Sequence, residues 1–287
     1  MAFDNLSEQS PIFPPEAERY SSRAIELSHM AADECDVILD VTYGNHEYQK
    51  LDIYRPRIGG NQLPILLFAH GGGWTHGYKE WLGLLAPAIT DIPAIFVSVS
   101  YRLAPQHRHP AGSDDCIAAL RWTCDNIDAY GGDPRQLFTG GHSAGGHLYA
   151  LATLRRDLLQ TAGIPPYAIR ACFPVSARFN LVNINPEPGT SEHRINTLLL
   201  AKLSDAPAAS PVRFVDGNQV PFLLTYGTRD FPNIIRSNRE MAEALRDSGS
   251  RVEELVLPGD HFDTALDTRH AQNPWTKKVR AWMNGQT

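Results

Sequence analysis

The sequence predicts an α/β fold: a mostly parallel central sheet, doubly wound, with helices on both faces. Three observations carry this. Unbroken apolar runs recur from residue 63 onward, as in strands buried on both faces. Helical stretches separate them, which implies βαβ units with right-handed crossovers. One run, at 136–143, passes through two glycines and a serine directly into a helical segment.

The elements follow in order. Residues 16–32 have an apolar stripe at Tyr20, Ala24, Leu27 and Ala31, which predicts a helix. Residues 37–43 and 48–54 alternate partly, as half-exposed antiparallel strands do, and stop at Gly44 and Arg55-Pro56. Apolar runs then predict strands at 63–70, 92–101, 136–143, 168–176, 221–227 and 251–259. Helices are expected near 80–90, 113–130, 144–160, 233–248 and 274–284. The second of these carries Ile117, Leu120, Trp122, Ile127 and Tyr130 and ends at Gly131-Gly132. Residues 177–212, rich in Asn, Pro and Ser, break the alternation and read as a small cap-like insertion. The expected organisation is an N-terminal helical arm at 1–36 and one α/β domain at 37–287.

Composition excludes several functions. The 287 residues carry 26 Lys and Arg against 32 Asp and Glu, a net charge of −6. No basic excess exists to neutralise phosphates, so nucleic acid is not an expected partner. Hydrophobic residues at 43% and charged residues at 20% fit a globular chain rather than a disordered one. Cys35, Cys116, Cys124 and Cys172 form no CxxC pair, so neither a zinc site nor a disulfide framework is expected. Cys116 and Cys124 should both face the core. The polar, proline-broken start lacks a signal-peptide pattern, and no apolar stretch has the roughly 18 residues of a membrane span. The expectation is a soluble, reduced, cytoplasmic protein.

The chemistry-bearing residues concentrate after strands. Gly141-His142-Ser143-Ala144-Gly145 fits G-x-S-x-G, between a strand-like run and a helix. Such a turn lifts the Ser143 hydroxyl above the sheet edge, beside a helix N-terminus that favours negative charge. His70-Gly71-Gly72-Gly73-Trp74 follows another strand, and its glycine N–H groups can point at an oxyanion. Gly72, Gly73 and Ala144 are the expected donors. A Walker A reading fails because no Gly-Lys-Ser/Thr follows. Serine needs a base. His261 follows the last strand and fits that role, while Asp230, after the preceding strand, fits the residue that orients it. Asp260 and Asp263 sit too close in sequence to His261 to serve. His70, His142 and His147 are expected to support the loops or line the pocket. The order Ser143, Asp230, His261 is that of α/β-hydrolases.

These motifs, with Tyr101-Arg102-Leu103-Ala104-Pro105, resemble the hormone-sensitive-lipase-like esterase group of the α/β-hydrolase fold. Val41-Thr42-Tyr43-Gly44, 50–56, 196–211 and Asp260-His261-Phe262-Asp263 resemble the kynurenine formamidase (arylformamidase) branch. The chain departs from the esterase pattern at Ser100 and Gln106, where that group has Asp and Glu. The resemblance implies a serine hydrolase acting on small esters, aryl amides or formamides, with no metal or organic cofactor. The expected partner is a small-molecule ester or amide, and a homodimer is compatible with the chain. Trp74, Tyr78, Trp81 and Phe179 are candidate aromatic pocket residues, with His142 beside them. A non-catalytic binder on this fold loses the histidine that this chain keeps as His261. An acyltransferase or lyase is the other alternative on the same scaffold.

Overall fold

In a computed structural model, residues 6–9, 14, 16–182 and 186–285 are described. Residues 1–5, 10–13 and 15 of the expected arm, 183–185 of the expected insertion, and 286–287 lie outside them. Helix α1 spans Glu16–Ala32 and presents Ala17, Tyr20, Ala24, Ser28 and Ala31 inward; Leu27 is half-buried. Strands β1 (Asp36–Thr42), β2 (Lys50–Arg55), β3 (Leu63–Ala69), β4 (Ile95–Val99), β5 (Gly132–His142), β6 (Ile169–Val175), β7 (Phe222–Gly227) and β8 (Val252–Leu257) form one sheet. Its order is β1-β2-β4-β3-β5-β6-β7-β8. β1 and β2 join antiparallel, and every pair from β4 through β8 is parallel.

The helices between the strands are α2 (Ala86–Thr90), α3 (Ala111–Asn126), α4 (Ala144–Leu154), α5 (Arg156–Thr161), α6 (Ser191–Arg194) and α7 (Pro232–Asp247), and α8 (Asp263–Leu266) and α9 (Pro274–Met283) follow β8. The continuous apolar run of β3 has a direct cause. Ile65 and Leu67 pack on one face with Leu120 of α3 and Leu148 of α4. Leu66 and Phe68 pack on the other with Trp275 and Trp282 of α9. With both faces covered, no position in the strand suits a polar side chain.

Several boundaries differ from expectation. The stretch at 80–90 is two short 3₁₀ turns followed by α2, with Pro87 in its first turn, where a missing N–H costs nothing. The expected helix at 144–160 breaks at Arg155, whose φ of −80° and ψ of 65° are not helical. Gly131 stops the helical run with φ 90°, but Gly132 already pairs with Leu63, so β5 starts four residues early. β8 is an edge strand and is largely half-exposed, which is why it carries Glu253 and Glu254 rather than running apolar throughout. Cys116 is fully buried, whereas Cys124 is only half-buried. Among the described residues, no helix is long and apolar enough to cross a membrane.

Candidate active site

The parallel strands deliver their C-terminal ends to one edge, and the chemistry gathers there. β5 turns into α4 at Ser143, whose φ of 52° and ψ of −115° lie outside the comfortable regions for a residue with a side chain. The surroundings hold it in place. The Ser143 N–H donates to the Val175 carbonyl at 2.8 Å, and His147 N–H donates to the Ser143 carbonyl at 3.0 Å. The turn is also too tight for side chains on either flank. A Cβ on Gly141 would stand 2.4 Å from the Gly145 carbonyl carbon, and one on Gly145 would stand 2.1 Å from the Ala69 oxygen. Both glycines of the motif are therefore steric requirements.

β8 ends at Leu257, and the loop beyond it returns His261 toward Ser143. The Ser143 Oγ–H donates to His261 Nε2 at 3.0 Å, and the His261 Nδ1–H donates to Asp230 Oδ1 at 2.8 Å. Asp230 lies just past β7 and is 4% exposed. Its carboxylate also accepts from Ser176 Oγ at 2.5 Å and from the Phe231 N–H at 2.8 Å. Burial alone would raise its pKa. The His261 hydrogen bond and charge, with the Ser176 and Phe231 donors, outweigh burial and hold it below the usual carboxylate range. An ionised Asp230 fixes His261 in the tautomer whose Nε2 is free to accept a proton.

Three buried histidines lie around this line, and one of them, His142, touches it. His142 Nε2 donates to the His261 carbonyl at 2.9 Å, and its ring lies 4.8 Å from that of His261. Burial, followed by the proximity of His261, pushes its pKa down to about 3. His142 thus stays neutral and places no competing cation beside His261. His147 Nδ1 accepts from the Trp74 Nε1–H at 3.0 Å, while its Nε2 donates to the Ala209 carbonyl at 2.8 Å. His70 stacks on Tyr101 and donates from Nδ1 to the Gly71 carbonyl at 2.7 Å.

The glycine loop after β3 lies beside the Ser143 turn, because Ala69 pairs with Gly141. Gly72 has φ 110° and Gly73 φ 60°, and a Cβ on Gly72 would stand 2.1 Å from the His76 oxygen. The Gly72 carbonyl is occupied by the Thr75 and His76 N–H groups. Among the described residues, the Gly72, Gly73 and Ala144 N–H groups donate to no backbone carbonyl of the loops. Ala144 begins α4, where the first N–H groups have no partner within the helix.

Gly72, Gly73, Ser143 and His261 open on a cavity of about 540 Å³, the size of a small-molecule site. Pro14, with Ala17 and Tyr20 of α1, lines the cavity, so α1 forms part of the pocket rather than packing outside it. Tyr20 stacks on Phe262 and contacts Trp81 and His142. Thr190, Glu192, Ile195 and Leu198 bring the 177–212 stretch to the opposite wall. Trp74, Trp81 and His142 also line the cavity. Phe179 does not, contrary to expectation. It is fully buried among Ala150, Met241 and Leu245, with its N–H on Ser237 Oγ, and its neighbour Arg178 takes the cavity-facing position. Tyr78 hydrogen-bonds the Ser7 carbonyl and stays outside the cavity.

Sequence reasoning passed over Ser176, Tyr20, Arg178 and Glu192. Ser176 had one available signal, its place directly after β6 at the sheet edge where Ser143, Asp230 and His261 also lie. Asp260 accepts from the Phe262 and Asp263 N–H groups, so its carboxylate shapes the loop that carries His261. Among the described residues, no group of three or more His, Cys, Asp or Glu is placed to hold a metal ion.

A model of the BD-FAE family matches residues 51–245. The chain belongs to the BD-FAE family. Relatives of this BD-FAE chain include the esterase LipC of Mycobacterium tuberculosis, 31% identical over 76% of this chain and 58% of its own. The carboxylesterase NlhH of the same species is 34% identical over 71% of this chain and 64% of its own. The chain thus spans about three-fifths of the length of these curated relatives. A hyperthermophilic esterase from Pyrobaculum calidifontis superposes with a TM-score of 0.76 at 24% identity, covering 93% of this chain and 92% of that one. A thermophilic carboxylesterase cloned from a metagenomic library, EstE1, gives 0.75 at 21% identity, over 94% and 96%. The fold is that of α/β-hydrolase esterases.

Proposed function

We propose that this protein is a serine hydrolase that cleaves small carboxylic esters through an acyl-enzyme. The observation that carries this reading is the continuous hydrogen-bonded line Ser143–His261–Asp230 at the cavity floor. Ser143 Oγ attacks the ester carbonyl as His261 Nε2 takes its proton. Asp230 holds the tautomer and stabilises the imidazolium. The N–H groups of Gly72, Gly73 and Ala144 receive the negative charge of the tetrahedral intermediate. The imidazolium then protonates the leaving alcohol, and water repeats the sequence on the acyl-enzyme. The names of the relatives LipC and NlhH, an esterase and a carboxylesterase, support ester cleavage.

The same apparatus serves an amide, with His261 protonating the leaving amine. The segments that resemble kynurenine formamidase extend the reading to aryl formamides. Turnover of N-formylkynurenine, measured beside 4-nitrophenyl acetate and butyrate, separates the two. Ester turnover abolished by Ser143→Ala, with fluorophosphonate labelling of the wild type alone, is the expected result. Formamide turnover at background would remove the formamidase extension and leave the esterase. Labelling without turnover of any ester or amide would overturn the hydrolase reading.

A further inference from the structure

The opposite wall of the cavity has a charge arrangement that ester cleavage does not require. Arg178, two residues past Ser176, lines the cavity yet is only 5% exposed. A guanidinium carries five N–H donors. Its Nη2 donates to Glu192 Oε1 at 3.0 Å and to Ser191 Oγ at 3.3 Å. Nε and Nη1 carry the other three N–H groups, and among the described residues none of these has a partner. With Arg178 at the cavity wall, these donors are open to an acceptor that enters the cavity.

The counter-charge is also committed elsewhere. Glu192 accepts from Asn233 Nδ2 at 2.8 Å and from Ser191 Oγ at 2.9 Å as well as from Arg178. Burial would raise its pKa, but Asn233 and Arg178 outweigh burial and hold it down at about 2, so it stays ionised. Arg236 of α7 lines the same cavity and stands close enough to disfavour the charge on Arg178. Its own carboxylate partner, Glu240, is 3.8 Å away. Arg178, Arg194 and Arg236 therefore line the cavity, and among its described lining residues Glu192 is the one carboxylate, within a chain whose net charge is −6.

We propose that the cavity selects esters or amides that carry a carboxylate, which docks on Arg178. The inference rests on the hydrolase reading and narrows its substrate class. A carboxylate presents two oxygens to the planar guanidinium, and the charge-assisted bonds formed away from water are of the strong kind. A neutral ligand of the same shape leaves the three donors unpaired. Glu192 holds the guanidinium in position and tempers its charge.

The test compares kcat/KM for two matched pairs. Mono-4-nitrophenyl glutarate against 4-nitrophenyl butyrate puts the carboxylate on the acyl side. 4-Acetoxybenzoate against its methyl ester puts it on the leaving group. The expected result is a preference of about tenfold or more for the anionic member of at least one pair, falling with added salt. Arg178→Met should lower the anionic-to-neutral ratio at least about tenfold, chiefly through KM, and Arg178→Lys should restore part of it. Glu192→Gln should move the ratio the other way, by removing the competing negative charge. No preference in either pair, or a ratio unmoved by both Arg178→Met and Glu192→Gln, would overturn the inference while the esterase stood. If neither pair is hydrolysed and Ser143 resists fluorophosphonate, the hydrolase reading fails and takes this inference with it.

Discussion

Lys79 ties the glycine loop to the sheet, and replacing it with Met should loosen both. Its ammonium is 4% exposed and lies 2.9 Å from Asp52 Oδ1, 3.1 Å from Asp40 Oδ1 and 2.5 Å from Glu80 Oε1. Asp52, on β2, is fully buried. Burial alone would lower the Lys79 pKa, but the two carboxylates Asp52 and Glu80 outweigh it and raise the pKa above its ordinary value. Burial pushes Asp52 up to about 6 in spite of Lys79. The Lys79 N–H also donates to Ser100 Oγ, at the end of β4. Lys79→Met keeps most of the side chain's apolar stem but leaves Asp52 buried beside Glu80 without a cation. Breaking a buried pair in this way costs about 3–5 kcal/mol. An unfolding entropy of about 2.1 cal/mol/K per residue amounts to about 0.6 kcal/mol/K here, so Tm should fall by about 5–8 °C at pH 8. The pH dependence has a definite sign. Asp52 binds its proton more tightly folded than unfolded. Its contribution to stability is therefore full below about pH 4 and lost as pH rises through about 6. Without Lys79 its pKa rises further, and a neutral Asp52 needs no cation. The loss in Tm should thus shrink at pH 5.5. Calorimetry or circular dichroism melts at both pH values measure it. A loss under about 2 °C at pH 8, or a loss as large at pH 5.5, would refute the reasoning.

Asp230→Asn should leave the fold intact and lower kcat by about 10³–10⁴, since the amide cannot hold the required tautomer; stopped ester assays beside melting curves check this. Gly72→Ala should cost about 10²–10³ in kcat, because its Cβ would press on the His76 oxygen at a φ of 110° and swing the loop N–H groups away. The acid side of the kcat/KM profile should have a slope of one. Asp230 is held ionised and His142, pushed down to about 3, stays neutral, so a limb of slope two would contradict the assignment. Ser176→Ala should lower kcat by about tenfold with little change in KM, as Asp230 loses its 2.5 Å hydroxyl donor.

What could be read from the sequence and what could not divide along a physical line. Strands buried on both faces announce themselves, because every position must be apolar, and β3, β4 and β7 lie within the runs that predicted them. The Ser143 turn is equally plain, since only glycine fits at 141 and 145. Asp230 and His261 are legible because residues that follow consecutive parallel strands must arrive at the same edge. Tyr20 and Arg178 are not legible in this way. They reach the cavity from α1 and from the loop after β6, and tertiary packing alone decides which neighbour turns inward. At 178 and 179 the sequence offers an arginine and a phenylalanine, and hydropathy favours the phenylalanine for an apolar pocket. The structure spends Phe179 on the core formed with α7 and gives the arginine to the cavity.

That inversion bears on how the site works. A buried arginine at a cavity wall is expensive to keep charged, and here burial is the main cause lowering its pKa. Glu192, supplied by α6, offsets the cost. It is itself steadied by Asn233 from α7, so one carboxylate links the insertion to the main domain. Ser176, two residues before Arg178, donates to Asp230 from a backbone φ of 51°, so two residues of one short loop serve Asp230 and the cavity wall. Substrate selection at Arg178 and the support of Asp230 by Ser176 thus sit two residues apart but act on different groups, so Arg178→Met should be read chiefly in KM and Ser176→Ala in kcat.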